Sequence, residues 1–83
     1  MPRRLRWLTG EDVATILGGF DFERVAQRGS HLRLRRVTSD GHIQTLLFPL
    51  NDELRPGTIL AAFQQACEYL DESQLRPHFY SAE

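Results

Sequence analysis

The chain has 83 residues, of which 41% are hydrophobic and 25% charged. These values predict one soluble domain, close to the smallest size that a hydrophobic core stabilises alone. The single cysteine excludes an internal disulfide and favours a cytoplasmic protein, and neither a signal peptide nor a membrane span is predicted. The formal net charge is −1, but residues 1–36 hold eight arginines against four acids, whereas residues 37–83 hold two against seven. Lysine is absent, and arginine binds phosphate bidentately, although a GC-rich genome would give the same composition.

The first predicted element is a helix in LTGEDVATILGGF, residues 8–20. Thr9 and Asp12 have the spacing of a capping box at its start, and Gly18-Gly19 is expected to end it. Apolar residues recur between these points at helical spacing: Val13, Ile16, Leu17 and Phe20.

Three strands are predicted next. FERVAQR (22–28) and HLRLRRV (31–37) are joined at Gly29-Ser30, and TSDGH (38–42) forms a turn before IQTLLFPL (43–50). In the second strand, two leucines alternate with His31, Arg33 and Arg35, which places the three polar side chains on one face. The third strand is nearly all apolar, so its sequence does not show which face points toward the core. Pro49 marks the end of this strand or an edge position.

A loop, NDELRPGT, leads to a second helix with Pro56 at its first position. Its apolar stripe is predicted to contain Ile59, Phe63, Ala66, Cys67 and Leu70. Pro77 is expected to break any further helix in the tail DESQLRPHFYSAE, which is either a packed extension or a frayed end.

The predicted order is therefore α-β-β-β-α, an α+β sandwich. A three-stranded antiparallel sheet carries both helices on one face and leaves the other face in water. Residues 1–83 form a single domain with its core at about 9–70 and a C-terminal extension at 71–83. On this architecture His31, Arg33 and Arg35 face solvent together.

His31 is the principal candidate for chemistry. The stretch AQRGSHLRLRR (26–36) holds four arginines and no acid. A neutral imidazole there is suited to take the proton of a ribose 2′-hydroxyl while Arg28, Arg33 and Arg35 hold phosphate. Gly29 lets the backbone approach a ligand, and Ser30 adds a hydroxyl. The alternative is a surface histidine beside a turn, with no chemical role.

Other candidate sites are weaker. His31, His42, His78 and Cys67 have no metal-ligand spacing, so neither a metal nor a cofactor is predicted. Gly57 and Thr58 stand at the start of the second helix and could offer free amides to a phosphate. Ordinary helix capping explains them as well.

Two segments, FERVAQRGSH (22–31) and ELRPGTILAAFQQA (53–66), resemble HicA-type toxins, small bacterial mRNA interferases of toxin–antitoxin pairs. The resemblance runs from about Thr9 to Leu70. It implies a fold like the double-stranded RNA-binding domain, metal-independent cleavage of RNA by one histidine, and neutralisation by a HicB-type antitoxin. The catalytic position corresponds to His31. The family's Gly-Ser and Gly-Thr pairs correspond to Gly29-Ser30 and to Gly57-Thr58.

The sequence differs from many relatives at the position after the catalytic histidine, which is Leu32 here, and in its lack of lysine. The predicted function is a HicA-like ribonuclease toxin with His31 as general base, RNA as substrate and a HicB-like antitoxin as partner. The alternative is a non-catalytic RNA-binding or protein-interaction module on the same fold, with its acidic half facing a protein.

Overall fold

Two antiparallel sheets and three helices make up the computed structural model, which describes residues 4–81. Residues 1–3 and 82–83, the ends of the predicted 1–83 domain, lie outside the described residues. In chain order the elements are β1 (Arg4–Leu5), α1 (Gly10–Gly18), β2 (Glu23–Arg28), β3 (His31–Val37), β4 (Ile43–Pro49), α2 (Pro56–Ala66), α3 (Glu72–Phe79) and β5 (Tyr80–Ser81). The larger sheet has the order β2-β3-β4, and β1 pairs with β5.

Helix α1 begins as its sequence predicts. The backbone N–H of Asp12 donates to Thr9 Oγ1 at 3.0 Å, and the N–H of Thr9 donates to Asp12 Oδ2 at 3.0 Å. This reciprocal capping box satisfies two amides that would otherwise lack partners. The helix ends at Gly18, so its predicted end is confirmed, and its buried side includes Val13 and Leu17.

Strand register decides which face of the three-stranded sheet is the inner one. Leu32 lies opposite Phe48 and Leu34 opposite Leu46, and all four side chains are buried. The apolar sequence of β4 did not show which of its faces is the inner one. The register shows that this face carries Leu46 and Phe48. Helix α2 buries its apolar face against the inner face of the sheet. The buried residues of this helix are Ile59, Ala62, Phe63 and Ala66.

Helix α2 is shorter than the predicted stripe. It starts at Pro56 as predicted but ends at Ala66, so Cys67 is its C-cap and Leu70 lies beyond it. Both side chains still pack against the core. The apolar spacing therefore identified core residues correctly but overestimated the length of the helix.

The C-terminal tail is a packed extension. Residues Glu72–Phe79 form α3, and Leu75 and Phe79 are fully buried. Pro77 lies inside this helix, so the expectation that it would prevent one is wrong. The proline removes one N–H from the last turn, and the burial of two large apolar side chains outweighs that loss.

The predicted α+β class and the three-stranded antiparallel sheet are confirmed. The third helix and the small β1–β5 sheet are additional to the predicted order, and they join the two ends of the chain. Among residues 4–81, no helix combines the length and apolar character needed to span a membrane.

Candidate functional site

The outer face of the three-stranded sheet carries His31, Arg33 and Arg35, all exposed as the alternation predicts. On the neighbouring strand β4 their cross-strand partners are Pro49, Leu47 and Thr45. The buried side chains of the sheet all lie on its other face, and no helix formed by residues 4–81 covers this one. We call this surface the open face.

A depression of about 470 Å³ lies on the open face, where β2, β3 and β4 run side by side. Its lining residues are Ala26, Arg28, His31, Arg33 and Leu47. We call it the His31 cleft. The register explains this grouping, since Arg28 pairs with His31 and Ala26 with Arg33 across β2 and β3. Leu47 pairs with Arg33 from the other side.

The turn between β2 and β3 fixes how Arg28 and His31 face each other. Gly29 has a φ of 58°, a conformation that glycine adopts without steric penalty and that a two-residue type II′ turn requires at its first position. The Gly29 carbonyl accepts from Gln27 Nε2 at 3.3 Å. The Ser30 carbonyl accepts from the N–H of Leu50, which ties the turn to the end of β4.

The start of α1 supports the cleft from behind. The N–H of Gly10 donates to the Asn51 carbonyl at 2.9 Å. A Cβ on Gly10 would lie 2.5 Å from both Leu50 Cα and the Pro49 carbonyl oxygen. Only glycine lets the helix approach this closely, so Gly10 positions the backbone opposite His31.

The side chain of Gln65 on α2 supports the cleft at its β4 edge. Gln65 Oε1 accepts from the N–H of Leu47 at 3.0 Å, and Gln65 Nε2 donates to the Leu47 carbonyl at 3.2 Å. These bonds satisfy the N–H and the carbonyl of Leu47, which would otherwise be left free at the sheet edge. Leu47 is thereby held as the apolar part of the cleft.

The arginines of the predicted cluster divide into three environments. Arg28 and Arg33 line the cleft with no acid among the lining residues, and Arg35 lies farther along β3, opposite Glu23. Arg36 points inward, where it donates to Gln44 and to two backbone carbonyls. Within residues 4–81, Arg28, Arg33 and Arg35 take part in none of the ion pairs.

On the helix side of the sheet, by contrast, one arginine forms an ion pair. Arg24 of β2 binds Glu11 of α1 through two hydrogen bonds of 2.6 and 3.1 Å. The hydrogen bond from Arg24 holds the pKa of Glu11 below its ordinary value of 4.5. Arg24 is thus ion-paired on the helix side of β2, whereas Arg28, Arg33 and Arg35 on the open face belong to none of the ion pairs of residues 4–81.

Gly57 and Thr58 are not part of the His31 cleft. They occupy the first turn of α2, after Arg55, whose side chain makes no capping hydrogen bond. A second depression of about 290 Å³ adjoins this turn, and its lining residues are Trp7, Glu53, Leu54, Arg55 and Pro56.

The sequence reasoning missed three residues that shape the site: Leu47, Gly10 and Gln65. Leu47 was hidden in a strand whose apolar sequence did not reveal its faces. Gly10 and Gln65 act through contacts with distant segments, which local patterns do not report. The part of the chain that the structure describes contains no cluster of three or more His, Cys, Asp or Glu side chains that could bind a metal ion.

Comparison with known proteins gives one match. A family described as HicA toxin of bacterial toxin-antitoxin matches residues 10–66, which is 57 of the 83 residues. The matched segment runs from the first residue of α1 to the last residue of α2 and so includes the whole open face. No curated protein and no solved structure gives a significant match to the chain.

Proposed function

The chain belongs to the HicA toxin family of bacterial toxin–antitoxin systems, and from this membership and the His31 cleft we propose that it is a toxin that cleaves mRNA in the cytoplasm. The observation that carries the proposal is the grouping of His31 with Arg28 and Arg33 in one exposed cleft without acids. An imidazole beside two guanidinium groups is suited to a negatively charged substrate that must lose a proton.

In the proposed reaction, His31 accepts the proton of a ribose 2′-hydroxyl. The 2′-oxygen then forms a bond to the adjacent phosphorus while the bond from phosphorus to the 5′-oxygen breaks. Water in the open cleft supplies a proton to the departing 5′-oxygen. The products are a 2′,3′-cyclic phosphate and a 5′-hydroxyl, and no metal or cofactor takes part.

The arginines and the turn have supporting roles in this proposal. Arg28 lies opposite His31 on β2 and Arg33 lies two residues farther along β3, and both stabilise the charge that grows on the phosphate oxygens. Arg35 extends the positive surface along β3 and holds a neighbouring phosphate. Gly29 lets the RNA backbone approach the turn, and the exposed Ser30 hydroxyl offers it a hydrogen bond.

A partner is part of the proposal, because the family works in toxin–antitoxin pairs. We expect a HicB-like antitoxin to cover the open face and so exclude RNA from the His31 cleft. Acidic side chains on that protein would match the unpaired arginines, since complementary charge increases both association rate and specificity.

The test is cleavage of a labelled RNA by purified wild-type protein and by His31→Ala. We expect the variant to lose on the order of a hundred- to ten-thousand-fold in rate, the usual effect of removing a positioned general base. RNA binding should persist because the arginines remain. His42→Ala is the matched control, since His42 is also exposed but lies at the opposite end of the β3–β4 hairpin.

Two results would contradict parts of this proposal. Equal cleavage by wild type and His31→Ala would exclude His31 as the base. If wild type binds RNA but never cuts it, the chain is a non-catalytic RNA-binding module on the same fold. Cleavage should continue in EDTA, and mass spectrometry of the products should find the cyclic phosphate ends.

A further inference from the structure

Trp7 is the most exposed large apolar side chain of the described residues, with 76% of its surface in solvent. Its indole is not part of the hydrophobic core, and within residues 4–81 neither an aromatic ring nor a guanidinium packs against it. Burial of an aromatic ring is strongly stabilising, so an exposed ring in so small a domain is a candidate for binding. The reaction proposed above gives it no role.

The backbone on both sides of Trp7 is held in place. The N–H of Arg6 donates to the Phe79 carbonyl at 2.8 Å, and the Leu8 carbonyl accepts from the N–H of Leu54 at 3.3 Å. The side chain of Leu8 is itself buried. The indole thus projects from an ordered segment, so the protein loses little conformational entropy when a ligand stacks on it.

The surroundings of Trp7 offer one group that suits the base of a nucleotide and another that suits its phosphate. The indole lines a depression of about 290 Å³ together with Glu53, Leu54, the exposed Arg55 and Pro56 at the start of α2, so one carboxylate and one guanidinium lie beside it. Arg55 takes part in none of the ion pairs of the described residues. An aromatic face binds a base by stacking, and a neighbouring guanidinium binds the phosphate that follows it.

We propose that Trp7 is a stacking site for an unpaired base of the RNA substrate, with Arg55 binding the adjoining phosphate. This inference rests on the ribonuclease function proposed above, and it assigns the substrate to single-stranded RNA, whose bases are free to leave their neighbours and stack on protein. Gly57 and Thr58, predicted to contact RNA, follow Pro56 directly and lie on this side of the molecule.

The distance to the His31 cleft suits one continuous RNA strand. Pro49 is the cross-strand partner of His31, and Arg55 is six positions farther along the chain, with five residues between them. Six extended residues span at most about 20 Å. Arg55, which lines the same depression as Trp7, therefore lies within about 20 Å of the backbone opposite His31, so we expect one RNA strand to contact both sites.

Intrinsic fluorescence tests the proposal directly, because Trp7 is the only tryptophan in the chain. The experiment uses the full chain with His31→Ala, so that RNA is not consumed. A single-stranded RNA oligonucleotide is compared with an oligonucleotide of the same length whose bases are removed, which keeps the phosphate charge. We expect the intact RNA to quench Trp7 emission and the abasic strand to bind without quenching, with binding of both followed by anisotropy of an end label.

Variants at position 7 separate stacking from simple apolar contact. Trp7→Phe keeps an aromatic face and should retain most of the affinity, whereas Trp7→Leu should weaken RNA binding roughly five- to hundred-fold, the range found when a stacking aromatic is removed. Leu60→Ala removes another exposed apolar side chain, on α2, and should leave affinity unchanged. Thermal melts confirm that each variant is folded.

Several outcomes would overturn the proposal. Tight RNA binding without quenching, or equal affinity for Trp7→Leu and wild type, would exclude stacking while leaving the ribonuclease function intact. An emission change that follows protein concentration in the absence of RNA would assign Trp7 to a contact between copies of the chain. A wild-type protein that neither binds nor cuts RNA would instead remove the function on which the inference rests.

Discussion

At the scale of single residues, the sequence identifies solvent-facing site residues better than it identifies the residues that hold the site in place. His31 could be singled out because strict alternation with two leucines fixes its face and because arginines surround it. Its exposure confirms the predicted face, and its catalytic role stays a prediction. Gly10 gave no such signal, since its role depends on contact with Leu50, forty residues away in the chain.

Substitution of Gly10 by alanine should destabilise the protein by about 1–3 kcal/mol, as overpacking of a close contact does. The new Cβ would lie 2.5 Å from backbone atoms of residues 49 and 50, so α1 or the end of β4 must move. Such a loss lowers the melting temperature of a domain of this size by about 4–8 °C per kcal/mol. Because β4 ends opposite His31, RNA cleavage should fall as well.

Gly18→Ala is the matched control for this prediction. Gly18 is also in α1, but a Cβ there meets nothing within 4 Å. Alanine should stabilise the helix there by about 0.4–1 kcal/mol. Melting curves of the two variants should therefore shift in opposite directions. A Gly10→Ala protein that melts at or above the wild-type temperature would contradict the close approach described here.

At the scale of secondary-structure elements, the sequence predicted what depends on local patterns. The capping box of α1, the β2–β3 turn and Pro56 at the start of α2 are all signalled within a few residues. The face of β4 was undecided because both of its sides are apolar, and only the register with β3 resolves it. Helix α3 and the β1–β5 pair escaped prediction because Pro77 argued against a helix and because Leu5 and Tyr80 stand at opposite ends of the chain.

Helix α3 should be necessary for folding even though it lies outside the segment that matches the family. Leu75 is fully buried, and Leu75→Ala should lower the free energy of unfolding by about 2–5 kcal/mol. Gln74→Ala, at an exposed neighbouring position of the same helix, should change it by less than about 0.5 kcal/mol. Urea unfolding of the two variants measures the difference, and equal midpoints would show that α3 is only loosely attached.

At the scale of the whole molecule, the arrangement of charge matters more than its sum. A net charge of −1 gives RNA no general attraction, so binding has to come from a local surface. The pairing of Arg24 with Glu11 neutralises one arginine on the helix side, whereas the open face keeps Arg28, Arg33 and Arg35 outside the ion pairs of residues 4–81. The charge asymmetry of the sequence indicated a basic surface, but only strand register and the Arg24–Glu11 pair show where it lies.

Salt dependence of RNA binding is the measurement that tests this arrangement. Each phosphate neutralised on a single strand contributes about 0.7 to the slope of log affinity against log salt. Changing Arg33 and Arg35 together to alanine should therefore flatten the slope by up to about 1.4, with Arg35 contributing less because Glu23 lies opposite it. Arg24→Ala removes one positive charge from the helix side of β2, and it should leave the slope unchanged. Titrations in the His31→Ala background avoid cleavage during the measurement. If Arg24→Ala flattens the slope by half as much as the double variant or more, RNA responds to total charge and does not bind the open face.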